Sequence, residues 1–259
     1  MLSSYLVQTI IFIFGMCIGS FVNVCIYRLP TSKSIIDPLR SICPNCGGII
    51  RFYDNIPVLS YFWLKGRCRH CNKPISFRYP LVEIISGAFA LCTFLKFGPT
   101  LEALVYFAFI TVLLVITFID IDHQLIPDLI TIPGIPASFL ASFALPSITY
   151  KESLLGLLAG GGSLLLVGWI YYLIKKAEGM GGGDIKLMAM IGAIVGWKGV
   201  LFTIFFSSLV GTLVGITIML RTKKGMKIAV PFGPFLSIGA IAYIFFGPAL
   251  IFWYLNLLR

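Results

Sequence analysis

Two short stretches concentrate acidic side chains beside long apolar runs. Of its ten Asp and Glu residues, four fall in them. Asp120, Asp122 and Asp128 lie in Phe118-Ile119-Asp120-Ile121-Asp122-His123-Gln124-Leu125-Ile126-Pro127-Asp128, and Asp184 lies in Gly179-Met180-Gly181-Gly182-Gly183-Asp184-Ile185-Lys186-Leu187. Two carboxylates sharing one proton suit water-mediated hydrolysis of a peptide bond. One takes a proton from water while the other, protonated, polarises the scissile carbonyl. Asp120 and Asp184 are the candidate pair, and the glycines ahead of Asp184 let another backbone come close. Composition alone leaves a second reading open, in which both aspartates cap helices or pair with Lys186. Asp128 follows Pro127 and precedes an apolar run, as an N-cap does. Asp122 and His123 read as solvated loop residues.

Cysteine supplies a second constellation. Four of the seven cysteines form Cys43-Pro-Asn-Cys46 and Cys68-Arg-His-Cys71, with 21 residues between the pairs. Such knuckles offer four thiolates to one tetrahedral ion, and Zn²⁺ favours that sulfur cage. A polar loop of this size cannot stabilise itself by core burial alone, so a metal staple has a role. A redox pair and an iron–sulfur site are the other readings of the same residues. A closed four-thiolate shell leaves no position for substrate, so the metal is structural and His70 a bystander. Cys17, Cys25 and Cys92 fall in apolar runs and are expected to be small core residues.

Helices must position these groups. The chain is 58% apolar and 12% charged, and its mean hydropathy is +0.97. Long uncharged runs approach or exceed the ~20 residues that cross hydrocarbon. A backbone in lipid must satisfy its own polar groups, so these runs are helices. The expected fold is an all-α polytopic membrane protein of about eight transmembrane helices with a small zinc-ribbon-like loop domain. Spans are expected near 5–27, 80–96, 102–120, 129–149, 153–174, 185–200, 201–220 and 231–255. The first run lacks a basic start and a small-residue cleavage site, so it reads as a retained span. Gly156/Gly160 and Gly192/Gly196 have the spacing of close helix packing. The expected domains are 1–27, a first transmembrane helix; 28–79, the cysteine-rich loop; and 80–259, the remaining helices, with the aspartate core at about 102–220.

Charge orients the chain. With the N-terminus outside, the Arg28–Arg78 loop and the other inside loops carry sixteen of the twenty Lys and Arg residues. Only Lys96, Lys151, Lys198 and Arg259 fall outside, a strong positive-inside bias. The sixth span is short, but the bias requires it to cross. Asp120 then ends an inward-running helix and Asp184 begins an outward-running one, at one depth near the cytoplasmic surface. Ionisable groups there point to function. By the helix dipole, Asp184 is expected to be the ionised base and Asp120 the protonated acid. The net charge of +10 matches anionic membrane lipid and calls for no nucleic acid.

The whole pattern resembles the type IV prepilin peptidases, bifunctional leader peptidases and N-methyltransferases of the GxGD aspartyl protease class. The residues that carry the resemblance are Gly19-Ser20-Phe21-Val22-Asn23-Val24, Arg28-Leu29-Pro30, the two CxxC knuckles, Asn55-Ile56-Pro57, Gly66-Arg67-Cys68 and Arg78-Tyr79-Pro80-Leu81-Val82-Glu83. Asp120 seven residues before Pro127-Asp128, and Gly181-x-Gly183-Asp184, complete it. The resemblance implies cleavage of a basic leader from prepilins or pseudopilins, after a glycine, at the cytoplasmic face of a bacterial inner membrane. It also implies methylation of the new N-terminus with S-adenosylmethionine. Asp120 and Asp184 become the catalytic pair, Cys43, Cys46, Cys68 and Cys71 the zinc ligands, and Gly66 and Glu83 candidates for the methyltransferase site. A proton-coupled transporter or a membrane redox protein are the alternatives. The first would place its aspartates nearer the midplane, and the second would leave the glycine-flanked aspartate unexplained.

Overall fold

The structure, a computed structural model, describes residues 2–31, 33–35, 37, 41–177, 179–222 and 230–257. Arg40, Lys223, Lys224, Lys227 and Arg259, which count in the charge asymmetry, lie outside the described residues. The described residues form eight helices in order: α1 (Leu2–Arg28), a short α2 (Leu59–Trp63), α3 (Arg78–Phe97), α4 (Leu101–His123), α5 (Asp128–Ala141), α6 (Tyr150–Lys175), α7 (Gly182–Thr222) and α8 (Gly233–Leu257). The all-α fold expected from the apolar runs is present. Among the described residues, five helices, α1, α3, α4, α6 and α7, are long and apolar enough to cross a membrane. The chain forms two compact units, residues 1–115 and 116–259.

In the first unit α1 and α3 pack antiparallel through small residues. A Cβ at Gly19 would come within 2.7 Å of the Glu83 Cα, and one at Gly87 within 2.8 Å of Met16. Such clearance is what membrane helices need in order to touch, because apolar burial gives no drive between them in lipid. Asn23 near the end of α1 donates to the Tyr79 carbonyl at the start of α3 (3.0 Å). The polar loop therefore leaves and re-enters this pair at one end, and Lys96 sits at the other.

The second unit is built around a helical hairpin inside α7. Gly196 has φ 69° and ψ 176°, far from helical values, and breaks the helix. Residues eight apart in a straight helix are separated by about 12 Å. A Cβ on Gly192 would nonetheless meet Val200 at 3.0 Å. The chain therefore doubles back, and glycine supplies the left-handed φ that other residues resist. The break frees the Ala193 carbonyl, which accepts a bond from the Ser153 hydroxyl of α6 at 2.7 Å. The residues of the sixth and seventh expected spans thus form two separate helical arms, divided at Gly196 rather than at residues 200/201. The fourth is shorter than expected: α5 stops at Ala141 and gives way to a 3-10 turn at Ser142–Ala144.

Glycine sets the register of this unit. A Cβ on Gly156 would overlap the Gly192 carbonyl, and one on Gly160 the Met188 carbonyl, so α6 runs antiparallel to the first arm of α7. Gly134 of α5 packs on Met190. The second arm pairs with α8, where the Ser207 hydroxyl donates to the Phe235 carbonyl at 2.9 Å. α6 opens with a full capping box between Thr149 and Glu152. Cys25 is buried as expected, but Cys17 and Cys92 are exposed on the outer faces of their helices rather than in a core.

Candidate active site

α4 ends at His123, three residues after Asp120, and the first turn of α7 carries Asp184. Within the second unit the two lie at the same end. Asp120 is buried, 5% exposed, and its Oδ2 accepts a 2.9 Å bond from the backbone N–H of Gly233 at the start of α8. Asp184 is half-buried. Ile126 links them: a Cβ on Gly233 would lie 3.2 Å from its Cδ1, and one on Gly183 would lie 2.8 Å from its Cβ. One isoleucine therefore touches the residue that holds Asp120 and the residue before Asp184. The apolar wall lowers the local dielectric and strengthens any charge interaction made there.

Asp122 and His123 are exposed, as expected, but they belong to the last turn of α4 and not to a loop. Asp128 is not an N-cap. Pro127 occupies that position, and Asp128 is the first helical residue of α5. Its Oδ1 pairs with Lys186 at 2.6 Å. Lys186 is therefore engaged by Asp128, which removes it as the ion-pair partner that the capping reading gave to Asp120 or Asp184. The dipole assignment of the shared proton also loses its basis. Asp120 ends its own helix, but its carboxylate faces the N-terminus of α8, so both aspartates see the positive end of a helix. Sequence reasoning missed Gly233 and Ile126. Gly233-Pro234 at the head of an apolar run was the only local hint.

In the first unit the four cysteines converge as one cluster, their Sγ atoms all within 4.8 Å of one another. Cys43 and Cys71 Sγ are 3.9 Å apart. A tetrahedral ion with ~2.3 Å metal–sulfur bonds needs sulfurs about 3.8 Å apart, so the cluster is shaped to hold a metal. The knuckles are copies of one turn. The Cys43 N–H bonds the Gly48 carbonyl while Gly47 N–H returns to Cys43, and Cys68, Lys73 and Asn72 repeat the pattern. Gly47 and Asn72 hold matching left-handed φ values of 67° and 54°. The backbone N–H groups of Cys71 and His70 pull the Cys68 thiol down to about 6. At Cys46 the Gly48 N–H favours the thiolate, but the Cys43 side chain, burial and Cys71 outweigh it and push the thiol up to about 11. His70 is exposed and outside the cluster. A bidentate Arg69–Asp54 pair (2.8 and 2.6 Å) ties the second knuckle to the preceding loop and holds the Asp54 carboxyl below its usual range.

Gly66 and Glu83 both border α2. Gly66 bonds the Tyr61 carbonyl through its N–H at 2.8 Å. Glu83, 8% exposed, accepts the Val58 N–H on Oε2 at 2.7 Å and also bonds the Ser20 hydroxyl. Val58 has φ 63° and ψ −50°, and Leu59 N–H reaches back to the Pro57 carbonyl at 2.6 Å. This is the strained form of γ-turn, at a β-branched residue that costs of order 1–3 kcal/mol to hold there.

Comparison with known proteins gives these sites a family. Residues 13–97 match the Bacterial Peptidase A24 N-terminal domain, and residues 107–216 match the Type IV leader peptidase family. A "Prepilin leader peptidase/N-methyltransferase" of Aeromonas hydrophila is 34% identical over 97% of this chain and 95% of its own length. One of Pseudomonas putida is 35% identical over 92% of this chain and 90% of its own. One of Myxococcus xanthus is 38% identical over 83% of this chain, and the match spans 64% of that longer protein. No solved structure matches the chain. Asp120, Asp184 and the cysteine loop fall within the two matched regions, and the chain belongs to the type IV leader peptidase family.

Proposed function

We propose that the chain is a membrane aspartyl endopeptidase that removes the basic leader of type IV prepilins or pseudopilins after a glycine, and then N-methylates the new terminus. The observation that carries the peptidase reading is the convergence of Asp120 and Asp184 at one end of the second unit, with Asp120 buried and held by Gly233. One carboxylate takes a proton from water as the oxygen attacks the scissile carbonyl. The other, protonated, donates to the carbonyl oxygen and later passes a proton to the leaving nitrogen. Family membership gives no support to a transporter or a redox protein.

The protein is a multi-pass inner-membrane protein, and we place the aspartates at its cytoplasmic face. Within the second unit Lys151 and Lys198 sit at the end away from them, while Lys175, Lys176 and Lys186 sit at theirs, as the positive-inside rule requires. The cage would hold Zn²⁺ through Cys43, Cys46, Cys68 and Cys71 and would stabilise the loop without taking part in hydrolysis. S-adenosylmethionine would supply the methyl group. Gly66 and Glu83 act through the α2 segment that they border. Residues 28–79 would serve methylation and the second unit cleavage. Membrane lipid surrounds the spans, and no nucleic acid is involved.

The deciding experiment is mass spectrometry of a prepilin incubated with the detergent-solubilised enzyme, with and without S-adenosylmethionine. Loss of the leader in both samples, with one added methyl only when the cofactor is present, is the expected result. An uncut prepilin would overturn the peptidase reading.

A further inference from the structure

The loop between α1 and α3 carries an apolar surface that the aspartate chemistry does not use. In α2, Leu59, Phe62 and Trp63 stand at i, i+3 and i+4 and therefore share one face. They are 66%, 66% and 81% exposed. On the other side Tyr61 meets Phe77 edge to face at 6.2 Å and covers Gly66. The helix thus has one satisfied side and one bare aromatic side.

The Val58–Glu83 bond sets the depth of that bare side. Glu83 lies five residues inside α3, which is about 7–8 Å along the helix axis from Arg78. Accepting the Val58 N–H there draws the start of α2 in beside a membrane-crossing helix, below the level at which that helix begins. The strained γ-turn at Val58 is the bend that makes this possible. Charge points the same way. From Arg51 to Arg78 the sequence has six Lys or Arg residues against one acidic residue, Asp54. Lys65, Arg67 and Lys73, which flank the metal knuckle beyond α2, are exposed.

We propose that α2 is an interfacial helix, with Leu59, Phe62 and Trp63 inserted among the headgroups and upper acyl chains of the membrane that α1 and α3 cross, and with Lys65, Arg67 and Lys73 meeting anionic headgroups. Aromatic side chains settle at that boundary because one end of the ring system is apolar and the other tolerates water. Basic residues beside them gain from an anionic leaflet. The metal cage is then held at the membrane surface instead of standing away from it. The proposal is independent of how the aspartates work.

Trp63 reports on the proposal directly. The chain has four tryptophans, and the full-length variant Trp169→Phe, Trp197→Phe, Trp253→Phe leaves Trp63 alone. It would be placed in nanodiscs of phosphatidylethanolamine and phosphatidylglycerol. Bromine on the upper acyl chain is expected to remove most of its emission, while aqueous acrylamide removes little. Emission insensitive to brominated lipid would overturn the proposal. A second measurement keeps all four tryptophans and replaces Phe62 with the photo-crosslinker p-benzoylphenylalanine. Irradiation in the same nanodiscs is expected to yield a phospholipid adduct by mass spectrometry. Adducts confined to this chain, to a second copy or to an added prepilin would overturn it equally.

Discussion

The backbone N–H of Gly233 donates to the Oδ2 of Asp120 across 2.9 Å, a buried bond between residues 113 apart in sequence. It fastens the last turn of α4 to the first turn of α8 and fixes one carboxylate of the pair against a backbone group that cannot rotate away. A Cβ at this glycine would lie 2.7 Å from the same oxygen. Gly233→Ala must therefore displace the carboxylate. Because an error of about 1 Å at a reacting group can cost ~10²-fold, this variant is expected to lose cleavage by about that factor in kcat. KM for prepilin should change little, and steady-state assays on the purified variant check both.

Asp120→Asn and Asp184→Asn each remove one partner of the proposed acid–base pair. Each is expected to lower leader cleavage by roughly 10²–10⁴-fold, the usual contribution of such a group. Metal content and membrane insertion should be unchanged. Cleavage near the native rate by either variant would take that residue out of the catalytic pair.

Asp128→Ala is the contrasting case. Its bond to Lys186 joins two exposed side chains, and pairs of that kind contribute about 0–1 kcal/mol. The variant should keep most of its activity and melt within a few degrees of the native protein. A loss as deep as that of Asp120→Asn would mean that Asp128 takes part in the reaction.

Removing the cage tests the loop. Metal analysis of the native protein is expected to find about one Zn²⁺ per chain, the number a single four-thiolate site binds. Cys43→Ser with Cys68→Ser should abolish binding and open the loop to proteolysis, since binding and folding of such sites are coupled. Methylation should fall at least as far as cleavage. Native protein that is free of metal and has a protease-resistant loop would refute this.

Glu83→Ala leaves the Val58 N–H without its carboxylate partner, a loss worth about 1–3 kcal/mol for a buried group. Methylation is expected to drop by more than cleavage does, whereas Glu83→Gln, which keeps an acceptor oxygen, should restore much of it. Equal loss of both activities in Glu83→Ala would show that Glu83 supports the fold at large.

Much of the candidate-site geometry was legible in the sequence because it rests on local signals. The knuckle turns are complete within six residues each, so the CxxC spacing was enough to foresee the cage. That Asp120 and Asp184 lie at one end of the second unit followed from helix lengths and the lysine and arginine bias. The partners of those groups were not legible. Gly233 meets Asp120 and Val58 meets Glu83 through backbone N–H groups, which leave no mark on residue type. Gly196 was noted for packing, yet a glycine in an apolar run looks the same whether it packs or turns the chain. The dipole argument failed for a similar reason, because it considered each aspartate's own helix and not the one packed against it.

The hairpin turn at Gly196 also bears on the bilayer. The arm 182–195 and the neighbouring α5 have fourteen residues each, or about 21 Å of helix apiece, against a hydrocarbon thickness of ~30 Å. Two adjacent elements this short create hydrophobic mismatch, and lipid beside them thins at a cost of fractions of a kcal/mol per Å. The bilayer around these two elements is therefore expected to be thinner than around the longer helices. Under the proposed function, water and the substrate peptide would then have less hydrocarbon to cross on the way to the two carboxylates.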